Sequence, residues 1–312
     1  MSRKLSMKKI IVTTTINPPT EAIEKFDQMS GWDLVVIGDL KTPKNYSLKN
    51  GKYYDPSFQE KYDKKLSDAI GWNCIQRRNF GLLIANDMGA DIIAVVDDDN
   101  IPLANWGQNL FVGQQAEVNF HYTEDPAFDP VGATNYPQLW HRGFPLQILA
   151  KRKYSPSTLK TLKVDVQADF WNGDPDIDAL CRMEHAPECV FDPKYFPMAS
   201  NKFAPFNSQN TFISKDTLEN YFLFPHIGRM DDIWASYYVQ AKGANVIFCE
   251  PSVYQRRNIH DLTKDMKLEY LGYEHNLDIV KKSPTNPEFL LSLLPEQSIL
   301  AFNLYRDHFH RA

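Results

Sequence analysis

The chain has 312 residues, a formal net charge of −5, 43% apolar residues and 13% aromatics. This is enough for a large α/β core and excludes global disorder; the acidic balance gives no general reason to expect nucleic-acid binding. The four cysteines (Cys74, Cys181, Cys189, Cys249) include no Cys-x-x-Cys pair that would suit zinc.

The first strand is expected over Lys8–Thr15, where β-branched residues follow two lysines. Its apolar run, Ile10–Val12, is too short for a signal peptide, and no stretch approaches the ~18 apolar residues of a membrane helix. The expectation is a soluble, cytoplasmic protein with no transmembrane segment. Asn17-Pro18-Pro19-Thr20 ends the strand, and Glu21–Phe26 starts a helix. Trp32–Asp39 reads as a second strand, so strand, helix, strand argues for parallel pairing. Residues 41–65 show no periodicity and read as a loop. Ile70–Met88 has apolar residues at helical spacing, with Gly89 as its C-cap. The next strand, Ile92–Val96, runs straight into Asp97-Asp98-Asp99-Asn100.

Residues 105–205 are rich in proline and aromatics, with only short strand-like pieces. A helix is expected over Asp231–Lys242, stopping at Gly243, then a strand over Asn245–Cys249. Helix returns through 290–294 and 299–305. With no repeat or linker, the chain reads as one domain: 1–104 a nucleotide-binding half, 105–265 a sugar and acceptor half, 266–312 a helical tail. No Gly-x-Gly-x-x-Gly or Gly-x-x-x-x-Gly-Lys-Ser/Thr follows the first strand, which disfavours dinucleotide and P-loop binders.

The acidic strand end is the strongest chemical signal. Ligands of open α/β sheets bind where strands end. Alternation along a strand would set Asp97 and Asp99 to one side and Asp98 to the other. Such a pair suits a hard divalent cation, Mn²⁺ or Mg²⁺, held together with substrate phosphates. Arg77, Arg78 and Asn79 precede it on a helix, and Arg77 is the expected phosphate contact. Asp174, Asp176 and Asp178, after Trp171, could orient sugar hydroxyls or simply make a turn and a helix cap. Pro205-Phe206-Asn207-Ser208-Gln209-Asn210-Thr211 sets amides beside a ring, a carbohydrate-reading vocabulary; Asn207, Gln209 and Asn210 are the candidates. Of Asp231 and Asp232, one suffices to cap the helix and the other could be a general base. Arg256, Arg257 or His260 could neutralise a leaving pyrophosphate, and His260 could ligate the cation.

Several of these segments resemble known proteins. Val96–Asn100 resembles the metal-binding Asp-x-Asp of GT-A-fold glycosyltransferases. Pro205–Thr211, Arg229–Gln240 and Glu250–Asn258 resemble the C-terminal region of the plant STELLO proteins. Ala168–Ala179 is similar to a segment of the same group, with a more distant likeness to reversibly glycosylated polypeptides. The matching pieces lie between residues 70 and 260. The resemblance implies a GT-A fold, a Rossmann-like mixed sheet flanked by helices, with a nucleotide-sugar site using Mn²⁺ or Mg²⁺. It puts Asp97 and Asp99 on metal and nucleotide, Asp174, Asp176 and Asp178 near sugar or acceptor, and Asp231 or Asp232 at the reacting centre. No counterpart of the plant proteins' membrane anchor is read in this sequence, so a Golgi role is not expected to carry over.

The combined expectation is a metal-dependent glycosyltransferase moving a sugar, first of all from a UDP-sugar, to a glycan or other acceptor. Thr13, Thr14 and Thr15 at the end of the first strand, with Asp39, would hold base and ribose, Asp97 and Asp98 the nucleotide side, and Asp232 would be the base of an inverting enzyme. A sugar-nucleotide mutase, a self-glycosylating protein and a non-catalytic carbohydrate-binding scaffold are the alternatives.

Overall fold

The computed structural model describes residues 7–256 and 261–310. Among these, the strands are β1 (Lys9–Thr15), β2 (Asp33–Gly38), β3 (Lys52–Tyr54), β4 (Ile92–Val96), β5 (Asn100–Pro102), β6 (Gln115–His121), β7 (Thr158–Lys163), β8 (Val166–Gly173), β9 (Met198–Ser200), β10 (Asn210–Ser214) and β11 (Val246–Gln255). They join one mixed sheet in the order β3-β2-β1-β4-β10-β8-β11-β9-β6-β7, with β5 paired to β11. β3, β2, β1 and β4 run parallel. β10 is antiparallel to both β4 and β8, and β11 is parallel to β8. The expected mixed α/β sheet is therefore present. Because β10 runs backwards, its first residues arrive at the same edge where β4, β8 and β11 finish.

The helices are α1 (Glu21–Asp27), α2 (Pro56–Tyr62), α3 (Lys64–Ile70), α4 (Arg78–Asp87), α5 (Ala179–His185), α6 (Asp231–Ala241), α7 (Leu262–Lys282), α8 (Glu288–Leu291) and α9 (Glu296–Asp307). β4, all Ile, Ala and Val, is buried at every position, as a central parallel strand should be. α4 packs against β1 at Gly81, where a Cβ would come within 2.4 Å of the Val12 side chain. That glycine sets how closely the helix approaches the sheet.

Three stretches depart from expectation. Residues 41–65 hold β3, α2 and the start of α3, because Asp55 and Asp63 cap two short helices by accepting from Phe58 and Leu66 N–H groups. The helix expected over Ile70–Met88 is broken: α3 stops at Gly71, whose φ is +81°, and α4 begins only at Arg78. The final strand is twice as long as expected, running to Gln255 past an irregularity between Cys249 and Val253. α7 begins at Leu262, and α9 closes the chain over α3, with the Tyr305 hydroxyl donating to the Leu218 carbonyl at 2.9 Å.

Candidate active site

β4 ends at Val96, so Asp97–Asp99 lie in a turn before β5. Two clefts adjoin this turn; Asp98 borders only one of them, while Asp97 and Asp99 border both. The inner cleft is bounded by Asp97 and Asp99, together with Arg142, Gln209, Asp231, Asp232 and others. The outer one is bounded by Thr14, Thr15, Asp39, Arg78 and all three acids. Ile75, Asp97 and Asp99 border both.

In the outer cleft, Thr14 donates to the Ile37 carbonyl at 2.8 Å, fastening the ends of β1 and β2. Asp39 accepts the N–H groups of Leu40 (2.6 Å), Asn73 (2.8 Å) and Cys74 (3.0 Å). That leaves its carboxylate about one lone pair for a ligand. Asp98 faces β1, bonded to the hydroxyl of Thr15 and, at 3.1 Å, to the Asn17 amide. Its carbonyl accepts from Thr20, the N-cap of α1. Thr13 is a correction: its side chain is fully buried and does not border the cleft.

Arg77 is a second correction. It is wholly buried, bonded to Gln59 (2.8 Å), to Ser67 and to the Gly71 carbonyl, and stacked on Trp72 at 3.6 Å. Its neighbour Arg78 is the one at the acids, donating to Asp97 at 2.6 Å and to the Ser208 carbonyl at 2.7 Å. Burial pushes the Asp97 carboxyl up, while Arg78 pulls the other way.

The inner cleft is built around Arg142. Its guanidinium takes Asp176 through Nε (2.9 Å) and Nη2 (2.9 Å), and Asp232 through Nη1 (3.0 Å) and Nη2 (3.1 Å). A third acceptor is the Arg229 carbonyl. Burial alone would lower Arg142, but the two carboxylates reverse this and hold it above its ordinary value. Ser208 completes the frame: its N–H donates to Asp232 at 3.0 Å. Asp232 is thus held below the usual carboxylate range, Arg142 outweighing burial. Asp231 differs. It accepts from Gln76 at 2.7 Å, and burial, with the adjacent Asp232 charge, raises it to about 7. A strongly paired, low-pKa carboxylate makes a weak proton acceptor, so of the two acids on this cleft Asp231 suits the role of a base better than Asp232.

The remaining expected contacts separate clearly. Gln209 borders the inner cleft, while Asn207 lies behind it, donating to Asp176 at 3.0 Å. Asn210 is a correction: it takes the Trp106 indole N–H at 2.9 Å and donates to Ser252 at 2.9 Å, tying the middle of the sheet together. Asp176 is fully buried and orients Arg142. Asp178 caps α5 and accepts from Trp140 at 2.6 Å, so the simple capping role holds. Asp174 pairs with Arg182 and borders neither cleft. Trp171 is core, stacked on Phe191. Arg256 is exposed and borders neither cleft. Arg257 and His260 lie outside the described residues. Arg142, Gln76, Arg229 and Gln255 were missed. Arg142 sits in Trp140-His141-Arg142-Gly143, a charge inside an aromatic run without periodicity, which carries no pattern to read.

Among the described residues, no three His, Cys, Asp or Glu side chains gather closely enough to cage a metal ion. Asp97 and Asp99 offer two carboxylates at the junction of the clefts. That donor set fits a cation such as Mg²⁺, which takes one or two protein carboxylates and completes its shell with phosphate oxygens and water.

Fold and clefts define an α/β protein with a divided acidic site at its strand ends. In sequence the chain is similar to STELLO2 of Arabidopsis thaliana, a probable glycosyltransferase, at 25% identity over 185 residues, 55% of this chain and 24% of that protein. STELLO1 of the same plant is 24% identical over the same extent. The chain thus aligns with about a quarter of the length of these curated relatives. No family model matches. Among solved structures, it is similar to glucosyl-3-phosphoglycerate synthase from Mycobacterium tuberculosis, with Mn²⁺, UDP-glucose and phosphoglyceric acid (12% identity, TM-score 0.48, covering 88% of this chain and 81% of that one). A second is the mannosyltransferase PcManGT from Pyrobaculum calidifontis with GDP-mannose and Mn²⁺ (10% identity, TM-score 0.39, covering 96% and 74%). No helix of the described residues is long and apolar enough to cross a membrane.

Proposed function

We propose that the chain is a metal-dependent glycosyltransferase of GT-A type. The supporting observation is the pair of clefts that meet at Asp97 and Asp99, with Asp231 and Asp232 on the inner one alone. In this reading the outer cleft takes base and ribose, beside Thr14 and Asp39. Asp97 and Asp99 hold the cation at the junction, where the diphosphate crosses. When bound, the cation stabilises the negative charge of the departing nucleotide. The inner cleft holds the sugar and the attacking hydroxyl. Asp231 accepts the proton of that hydroxyl, because its carboxyl is poised near neutrality. Asp232 stays ionised, held by Arg142 and Ser208, and its charge raises Asp231. Arg78, between Asp97 and Ser208, supplies positive charge on the nucleotide side.

Melting temperature with UDP, GDP, CMP or dTDP, each with and without Mn²⁺, tests the reading. A ligand that binds only the folded state raises it by mass action. The expected result is a rise with one nucleotide that requires Mn²⁺ and vanishes in Asp99→Ala. Absence of any nucleotide effect on the natural chain would remove the reading.

A further inference from the structure

We propose that Gln255 reads a hydroxyl of the transferred sugar, and that the inner cleft is built for an uncharged, hydroxyl-rich group. This rests on the transferase reading above. Gln255 is the last residue of β11, and its main chain is held on both sides. It pairs with Gly173 of β8 in parallel and with Asn100 of β5 in antiparallel register. Its carbonyl accepts the Asp174 N–H at 3.1 Å. Gly173, with φ +89°, makes this approach possible: a Cβ there would stand 2.4 Å from the Gln255 carbonyl oxygen. The strand therefore fixes where the Gln255 side chain goes, and it borders the inner cleft.

The side chain is 3% exposed, yet among the described residues its Oε1 has no hydrogen-bond partner. Buried carbonyl oxygens in folded proteins nearly always find a donor, and one without it weakens the fold. None of the described groups lining the cleft donates to it. Asp97, Asp99 and Asp232 are acceptors when ionised. Arg142 is engaged by Asp176, Asp232 and the Arg229 carbonyl, and Arg229 faces Glu269 at 2.9 Å. A ligand in the cleft can supply the donor. An anionic group would face several carboxylates here, with each of these guanidiniums already paired. Hydroxyls, which donate as well as accept, match both the orphan amide oxygen and the acids around it.

Calorimetric titration with Mn²⁺ tests this, comparing UDP with UDP-glucose and UDP-galactose, and GDP with GDP-mannose. The bare nucleotide reports the outer cleft; the added affinity of the sugar form reports the inner one. Gln255→Met keeps the length of the side chain and removes the acceptor, and Gln255→Leu is a second variant of similar size. The expected result is unchanged nucleotide affinity, a sugar increment reduced about tenfold, and a ligand-free melting temperature equal to or above that of the natural chain. A merely structural glutamine would behave in the opposite way, with a lower melting temperature and a full sugar increment, and that result overturns the assignment. So does a natural chain that binds nucleotide but gains nothing from the sugar. If no nucleotide binds at all, the transferase reading itself falls, and this assignment with it.

Discussion

Replacing Arg142 with Met should expose how the inner cleft is held. The substitution keeps much of the side chain's apolar bulk but leaves Asp176 and Asp232 without their shared cation. Breaking a buried ion pair from one side costs about 3–5 kcal/mol. Residual bonds from Asn207 to Asp176 and from Ser208 to Asp232 keep the cost from going higher. At about 2.1 cal/mol/K per residue, unfolding 312 residues carries an entropy near 0.66 kcal/mol/K, so the melting temperature should fall by about 5–8 °C. The pH dependence is the sharper test. In the natural chain Asp232 is held low, so its contribution is present above the unfolded carboxylate value of about 3.9 and is lost as pH falls through the lower folded value. In the variant, burial without a cation raises both acids, and taking up protons relieves them. The deficit should therefore be widest near pH 8 and narrow towards pH 5. Adding Asp176→Asn to the variant should recover part of it. Melting by circular dichroism at the two pH values decides the matter. A deficit equal at both, or below about 2 °C, would refute the clamp as the source of stability.

Two further outcomes follow from the site. Asp231, raised to about 7, is active as a base only when deprotonated, so turnover should rise with pH through that value. Asp231→Asn should lower kcat by about 10²- to 10⁴-fold with little effect on donor KM, and a flat profile from pH 5.5 to 8 would exclude it as the base. Arg77→Met should lower the melting temperature while leaving nucleotide affinity intact, and Arg78→Met should weaken nucleotide affinity; the reverse pattern in a binding titration would contradict the placement of the two arginines.

The parts of the fold legible in the sequence were those with simple periodicity. The β-branched runs of β1, β2 and β4, and the apolar run of α6, each announce a buried element from local pattern alone. The acidic turn was legible for the same reason: three carboxylates cannot continue a buried strand. The roles of neighbouring residues were not. Arg77 and Arg78 look alike in sequence, and a turn of 3-10 helix over Ile75–Arg77 decides which of them enters the sheet edge and which turns into the α2–α3 layer. The same holds for Asp174, Asp176 and Asp178, where partners outside the segment (Arg182, Arg142 and Trp140) determine each role. Asn210 shows the limit of reading composition as chemistry, because a buried amide joining strands has the same vocabulary as one reading a sugar.

The reversed strand β10 has a consequence for how the molecule comes to be. Val96 pairs with Asn210, and Asn100 with Gln255, so the first third of the chain is stitched to its last third through the middle of one sheet. Such high contact order makes folding slow, since these loops close before their contacts can reward them. It also means that no short contiguous fragment holds the complete inner cleft, whose lining runs from Ile75 to Gln255. Chain cut after residue 104 would leave Asp97 without Ser208 and Gln209 behind it, and the other piece without the Asp97–Asp99 turn. The inner cleft is complete only when β4, β10 and β11 stand side by side in the assembled sheet.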